Sequence, residues 1–114
     1  MSNTPRNRPV WRLESTHPHL VEPAITALSQ VTDPEIGLNV IQLGLVRDIA
    51  IEDGAAVLTE IMTTPFCPYA PALLEMSRQK AEEALGVPTK VAYGTEAWDF
   101  SMMEEGAGDD WGLY

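Results

Sequence analysis

The chain has 114 residues and a mass of 12.5 kDa, a length that fits one domain and leaves little room for a second. Seven Lys and Arg residues against 17 Asp and Glu residues give a formal net charge of -10 at pH 7. A polyanion of this size repels nucleic acid and anionic membrane surfaces. The sequence has no apolar stretch of membrane-spanning length, and its start lacks the apolar block of a secretory signal. One cysteine excludes an internal disulfide, which fits a reducing compartment. We therefore expect a cytoplasmic protein that binds neither nucleic acid nor membrane.

Both ends of the chain differ in composition from its middle. Residues 1–18 hold three prolines and three of the seven basic residues, which indicates a flexible N-terminal arm. Val10 and Trp11 are the side chains of this arm that are suited to dock on the body. The last residues are acidic, with aromatic side chains interleaved. The sequence thus predicts an arm, a domain over 19–103 and an acidic aromatic tail over 104–114.

The first helix is predicted over residues 19–31. Apolar residues recur there at helical spacing, and Pro23 falls in the first turn, where a missing N–H is harmless. The helix is expected to end near Thr32, because the residue before Pro34 is disfavoured in the α region.

The stretch DPEIGLNVIQLGLV has too many turn-forming residues for one regular element. Asp33 before a proline is typical of a cap on a short turn. Asn39 is suited to cap a second short turn over Val40–Leu43, which Gly44 closes. We expect two capped turns in succession.

A β-hairpin follows these turns. Branched residues are frequent in Leu45–Ile51 and in Ala55–Met62, as is typical of strands. Asp53–Gly54 between them is a strong hairpin signal, because a primed turn needs positive φ.

A second helix and a third strand complete the predicted domain. The helix spans Tyr69–Leu85 and stops at Gly86, and the strand spans Thr89–Tyr93. The order helix, strand, strand, helix, strand predicts a two-layer α/β (α+β) fold. In it a small mixed sheet is covered by helices on one face.

The loop TTPFCP joins the second strand to the second helix and contains the one cysteine, Cys67. Proline has no N–H, so the free donors at this predicted helix start are those of Tyr69 and Ala70. We expect Cys67 at or near the N-cap, where the helix dipole lowers the pKa of a thiol and favours the reactive thiolate. The structural alternative is a small buried residue that caps the helix.

Two further groups of polar side chains are candidates for the same chemistry. Asp33 and Glu35 flank a proline, and their carboxylates are suited to bind a cation, to move a proton or to cap a turn. Capping is favoured for Asp33 taken alone. Thr63 and Thr64 offer hydroxyls beside Cys67, either to hold a ligand or to satisfy backbone groups at the strand end.

Taken together, these motifs resemble the metal–sulfur cluster assembly factor family, also known as domain of unknown function fifty-nine. This family includes bacterial SufT-like proteins and eukaryotic cytosolic iron–sulfur targeting subunits. The resemblance covers about residues 20–100 and rests on three motifs at matching spacing. They are Asp33-Pro34-Glu35, Leu43-Gly44-Leu45-Val46 and Thr63-Thr64-Pro65-Phe66-Cys67-Pro68.

The resemblance implies an assembly or carrier protein that matures iron–sulfur proteins, with no catalytic residue assigned. It implies Fe or an iron–sulfur cluster as a transient cargo, held mainly by Cys67 with Asp33 and Glu35 as further ligands. Thr63, Thr64, Pro65 and Pro68 would support this site. A cluster needs more thiolates than one chain supplies. We therefore expect the cluster to be shared across a homodimer, or its remaining ligands to come from small thiols or from a client. The expected partners are the iron–sulfur assembly machinery and apo client proteins.

Two alternatives stay open at this point. The first is a non-catalytic adaptor that links the assembly machinery to clients, with a structural Cys67. Its partner contacts would be large apolar side chains of the C-terminal region, namely Trp98, Met102, Met103 and Trp111. The second is a thiol-based redox enzyme, against which the lack of a resolving cysteine counts.

Overall fold

In the described part of the chain, three strands form a mixed sheet in which neighbouring strands follow chain order, and helices pack against it. The computed structural model describes residues 9–64 and 68–103 of the chain. The elements in chain order are α1 (Leu13–Thr16), a 3₁₀ turn (Pro18–Leu20), α2 (Val21–Leu28), β1 (Val46–Glu52), β2 (Ala55–Glu60), α3 (Ala70–Leu85), β3 (Thr89–Tyr93) and a second 3₁₀ turn (Phe100–Met102). The predicted α+β class with a small mixed sheet is confirmed. Within the described residues, no helix is long and apolar enough to cross a membrane.

The hairpin between β1 and β2 has the predicted turn. Asp53 and Gly54 both have positive φ, at 53° and 78°, as a primed turn requires. Glu52 pairs with Ala55 directly beside the turn, and the two strands run antiparallel. The turn therefore sets the register that places alternate β2 side chains in the core.

The helix α3 carries the chain from β2 to β3, which pair in parallel. Four residues at four-residue spacing face the core, namely Leu73, Ser77, Ala81 and Leu85. Gly86, with φ of 73°, ends the helix as predicted, and its N–H donates to the carbonyl of Glu82. The helix begins at Ala70, one residue later than predicted.

The first predicted helix is shorter than expected. A 3₁₀ turn precedes α2, which begins at Val21 and ends at Leu28. Pro23 has no N–H to donate to the carbonyl of His19, so regular α-helical bonding cannot extend back through residues 19–23. After Leu28 the chain continues in turns, in which Ser29 Oγ donates to the carbonyl of Ile25 at 2.6 Å.

The segment that the composition suggested to be a flexible arm is packed from Trp11 onward. Trp11 and Leu13 are fully buried and belong to the core. The Trp11 indole Nε1–H donates to the carbonyl of Val46 at 3.2 Å, which ties α1 to β1. Val10, expected to dock, is instead 80% exposed. The boundary at residue 18 therefore does not separate arm from body, and residues 1–8 lie outside the described part.

Candidate functional site

The loop that follows β2 is the predicted site, and its described ends differ in burial. Ile61 and Met62 are buried, Thr63 is half-buried, and Thr64 and Pro68 are exposed. The apolar start of the loop is therefore anchored in the core, while Thr64 and Pro68 reach the surface. Three residues of the predicted site, Pro65, Phe66 and Cys67, lie outside the described residues.

The loop leads into the N-terminus of the longest helix. Tyr69 is the N-cap of α3 and makes no side-chain capping bond, so the cap lies two residues after Cys67. Pro71 in the first turn has no N–H, which leaves the amides of Ala70 and Ala72 as the first-turn donors that the helix itself does not use. The helix start thus presents backbone donors and the positive end of its dipole on the side of the loop.

Asp33 acts as the cap of a turn. Its carboxyl is buried, with the residue only 3% exposed. Oδ1 accepts hydrogen bonds from the amides of Glu35 at 2.9 Å and Ile36 at 3.3 Å. The Asp33 carbonyl also accepts from Gly37 N–H at 2.8 Å. These contacts support the capping alternative for Asp33, whereas the side chain of Glu35 is exposed.

We expect Asp33→Ala to lower the free energy of unfolding by about 1 kcal/mol, because two backbone donors lose their acceptor. Asp33→Asn retains an acceptor oxygen, and its free energy of unfolding is expected to stay within about 0.5 kcal/mol of the wild-type value. Glu35→Ala, which removes an exposed side chain, is the matched control. Urea denaturation measures all three, and equal losses for Asp33→Ala and Glu35→Ala would contradict the capping role.

The second predicted turn is also present. Asn39 Oδ1 accepts from Gln42 N–H at 2.8 Å, and Gln42 Oε1 accepts from Asn39 N–H at 2.9 Å, so the two side chains cap the turn reciprocally. Gly44 closes the turn with φ of 74°. The LGLV motif therefore forms a hydrogen-bonded corner that leads directly into β1.

Residues 94–103 pack on this corner. The Trp98 indole Nε1–H donates to the carbonyl of Leu43 at 2.7 Å. Arg47 Nε donates to Glu96 at 2.9 Å, and Arg47 Nη1 donates to the carbonyl of Gly44, also at 2.9 Å. These bonds attach the segment that follows β3 to the start of β1.

The side chains proposed for partner binding therefore have structural contacts. Met103 is 1% exposed, and Trp98 and Met102 are half-buried against the core. Large apolar side chains with such contacts stabilise the fold itself. Their burial therefore favours a packing role over a role as an adaptor surface. Trp111 lies outside the described residues.

A buried carboxyl at the end of β2 is the residue that the sequence analysis missed. Glu60 is fully buried, and its Oε1 has no hydrogen-bond partner among residues 9–64 and 68–103. Its Oε2 accepts from Ser77 Oγ–H on α3 at 3.2 Å. Burial raises the pKa of Glu60 to about 8, although the Ser77 bond acts in the opposite direction. The alternation Ala56, Leu58, Glu60 on the core face of β2 is the signal that could have found it.

Metal ligation by the described residues alone is not supported by their arrangement. Over 9–64 and 68–103, no group of three or more His, Cys, Asp and Glu side chains is placed to hold a metal ion. Asp33 is committed to its turn and Glu60 lies in the core. A metal or cluster at the loop would therefore need ligands from outside this set.

Comparison with known proteins agrees with this fold and loop. A family described as iron–sulfur cluster assembly protein matches residues 22–92. An Fe-S protein maturation auxiliary factor of Porphyromonas gingivalis is 37% identical over 89 residues, which cover 75% of this chain and 85% of that protein. A protein of the same description from Bacillus subtilis is 42% identical over 57 residues, covering 49% of this chain and 56% of that protein. The crystal structure of a domain of unknown function fifty-nine from Bacillus anthracis superposes with a TM-score of 0.75 at 25% identity, covering 88% and 98% of the two chains.

The packed helices, the mixed sheet and the loop between β2 and α3 define a small α+β domain of the type called domain of unknown function fifty-nine. The match extends from α2 to β3 and includes both the capped turns and the loop. The chain belongs to the iron–sulfur cluster assembly protein family.

Proposed function

We propose that this protein is an iron–sulfur cluster assembly and maturation factor that carries Fe or a cluster, or helps to deliver it, through Cys67. The observation that carries the proposal is the family match over residues 22–92, which contains both the DPE turn and the cysteine loop. The maturation-factor description of the Porphyromonas gingivalis relative supports the same role.

The ligand chemistry favours transfer over storage. A cluster is usually held by a full set of protein ligands, mostly thiolates, and this chain has one cysteine. Because Asp33 Oδ1 is occupied by two backbone donors, Glu35 is the freer of the two carboxylates proposed as additional ligands. The remaining ligands would come from a second copy of the chain, from small thiols or from a client. Such an incomplete ligand shell exchanges readily.

We place this activity in the cytoplasm, between the assembly machinery and apo client proteins. The role is that of a carrier without turnover chemistry of its own. The packing of Trp98 and Met103 leaves the adaptor alternative with less support, because these side chains already have contacts within the fold. The redox alternative lacks a second cysteine that could resolve an oxidised intermediate.

Anaerobic reconstitution with ferrous iron and sulfide tests the ligand role of Cys67. We expect the wild type to bind iron and to develop visible charge-transfer absorption, and Cys67→Ser to lose both. Bound iron and sulfide per chain are measured after gel filtration with light scattering, which also reports whether a cluster is shared between two chains.

The matched control moves the only thiol to another place. Ser15 is exposed on α1, so the double variant Cys67→Ser, Ser15→Cys keeps one thiol per chain while vacating the loop. Equal iron binding by this variant and the wild type would contradict a specific site at Cys67. The ligand role also fails if no form binds iron and Cys67→Ser still supports cluster maturation in cells.

A further inference from the structure

Glu60 connects the two elements that the candidate loop joins. It is the last residue of β2, and Ser77, which donates to its Oε2, lies on α3. The loop leaves β2 directly after Glu60 and enters α3 at Ala70. The Glu60–Ser77 hydrogen bond therefore fixes the end of the strand against the helix beneath the loop, independently of the loop residues themselves.

The surroundings of this carboxyl provide no compensating charge among the described residues. Val46 of β1 and Tyr93 of β3 lie opposite Glu60 in register, and Ser77 faces it from α3. The backbone of Gly94 donates to the Glu60 carbonyl, not to its side chain. The cations of α3 and β1 are paired with other carboxylates, namely Arg78 with Glu75 and Glu82, Lys80 with Glu83, and Arg47 with Glu96.

The free energy of burying Glu60 differs strongly between its neutral and its ionised form. A neutral carboxylic acid fits an apolar interior with one hydrogen bond at a small penalty. An ionised carboxylate there has lost its hydration, and a single serine hydroxyl replaces little of it. The charged form is stabilised if water reaches Oε1, and separation of α3 from the end of β2 would admit that water.

We propose that Glu60 is a positioning residue that holds the β2–α3 junction closed as a neutral acid and loosens it when the carboxyl ionises. The end of β2 and the start of α3 are then held together in mildly acidic solution and separate more readily in alkaline solution. This behaviour belongs to the protein without cargo, so it stands or fails separately from iron binding.

The pH dependence of folding provides the first test, and its sign follows from the pKa shift. The unfolded chain ionises Glu60 near its ordinary pKa of 4.5, whereas the folded chain retains the proton up to about pH 8. Between these values unfolding releases a proton, so stability falls as pH rises and levels off above pH 8. We expect ionisation of Glu60 to raise the unfolding equilibrium constant of the wild type by up to about tenfold per pH unit, and by roughly a few hundredfold in total from pH 5 to pH 8.

Glu60→Gln is the matched control, because it mimics the neutral acid and cannot ionise. Its urea-denaturation profile is expected to lack the Glu60 contribution to the slope, so the two proteins should be similar near pH 5 and diverge above it. Parallel profiles for wild type and Glu60→Gln would overturn the proposal. Because this variant could fail to fold, the carboxyl carbon of Glu60 is also titrated by NMR in the wild type, and an ionisation below pH 5 overturns the proposal as well.

A local measurement distinguishes positioning from general stability. Amide hydrogen-exchange protection is compared at pH 6 and pH 9 for residues 61–64 and for the first two turns of α3. We expect protection in the wild type to fall further at the junction than in the β1–β2 hairpin, whose protection falls only with global stability. In Glu60→Gln we expect protection to stay constant in both regions. Loss of protection that is uniform over the chain, or equal in the two proteins, contradicts a role at the junction.

Discussion

Replacing Gly44 by alanine is expected to lower the free energy of unfolding by roughly 3–5 kcal/mol. A Cβ at this position would overlap the backbone carbonyl of Met102, which cannot move without carrying the adjoining chain with it. Gly44 also has φ of 74°, a conformation that side chains with a Cβ rarely adopt. The clash would displace residues 94–103 from the corner and would weaken the hydrogen bond from Trp98 to the carbonyl of Leu43.

Gly37→Ala separates the clash from the backbone strain. Gly37 has φ of 83°, but nothing lies within 4 Å of a Cβ built there. We expect this control to lose only about 1 kcal/mol, from the left-handed backbone alone. Chemical denaturation of both variants at one pH measures the difference. Equal losses would show that residues 94–103 give way at little cost and are not part of the stable fold.

Trp11→Ala is expected to lower the free energy of unfolding by about 3–5 kcal/mol, which is typical of deleting a fully buried aromatic side chain. Trp11 is 0% exposed and lies in the same cluster as the core residues of α2 and β1. Its removal leaves a cavity and deprives the Val46 carbonyl of the indole donor. The result would show that the N-terminal segment is part of the folded unit.

Val10→Ala provides the control for this second prediction. Val10 is adjacent in sequence, is also apolar and is 80% exposed, so its truncation should change stability by less than about 0.5 kcal/mol. Thermal and urea denaturation of the two variants are compared with the wild type. A loss for Trp11→Ala as small as that for Val10→Ala would contradict the docking of this segment.

The turns were predictable because their chemistry is local. Asp33 contacts residues two and three positions further along, and Asn39 pairs with Gln42 three positions away. The Asp53–Gly54 hairpin likewise depends on the backbone conformation of two adjacent residues. For the site this means that the capping role of Asp33 could be recognised from its neighbours, and the structure favours it over the role of a free metal ligand.

The contacts that sequence reasoning missed join residues far apart in the chain. Trp11 bonds to Val46, 35 positions away, and Trp98 bonds to Leu43, 55 positions away. Composition made the segment of Trp11 look like a flexible arm, because prolines and charges are frequent in such arms. Trp98 was placed in the domain, but its side chain was considered as a partner contact. Glu60 was overlooked for the opposite reason, since a charged residue is expected to face water at a strand end.

The amino-acid order alone was enough to predict that α2 and α3 exist, and it also predicted the hairpin, the capped turns and the kinship to iron–sulfur assembly proteins. Each of these depends on periodicity or on hydrogen bonds between residues a few positions apart, or on motifs that can be compared directly. Burial of Leu13, Met103 and Glu60 became visible only in three dimensions. Whether a side chain loses its water depends on which distant segments pack over it, and neither local spacing nor residue type contains that information.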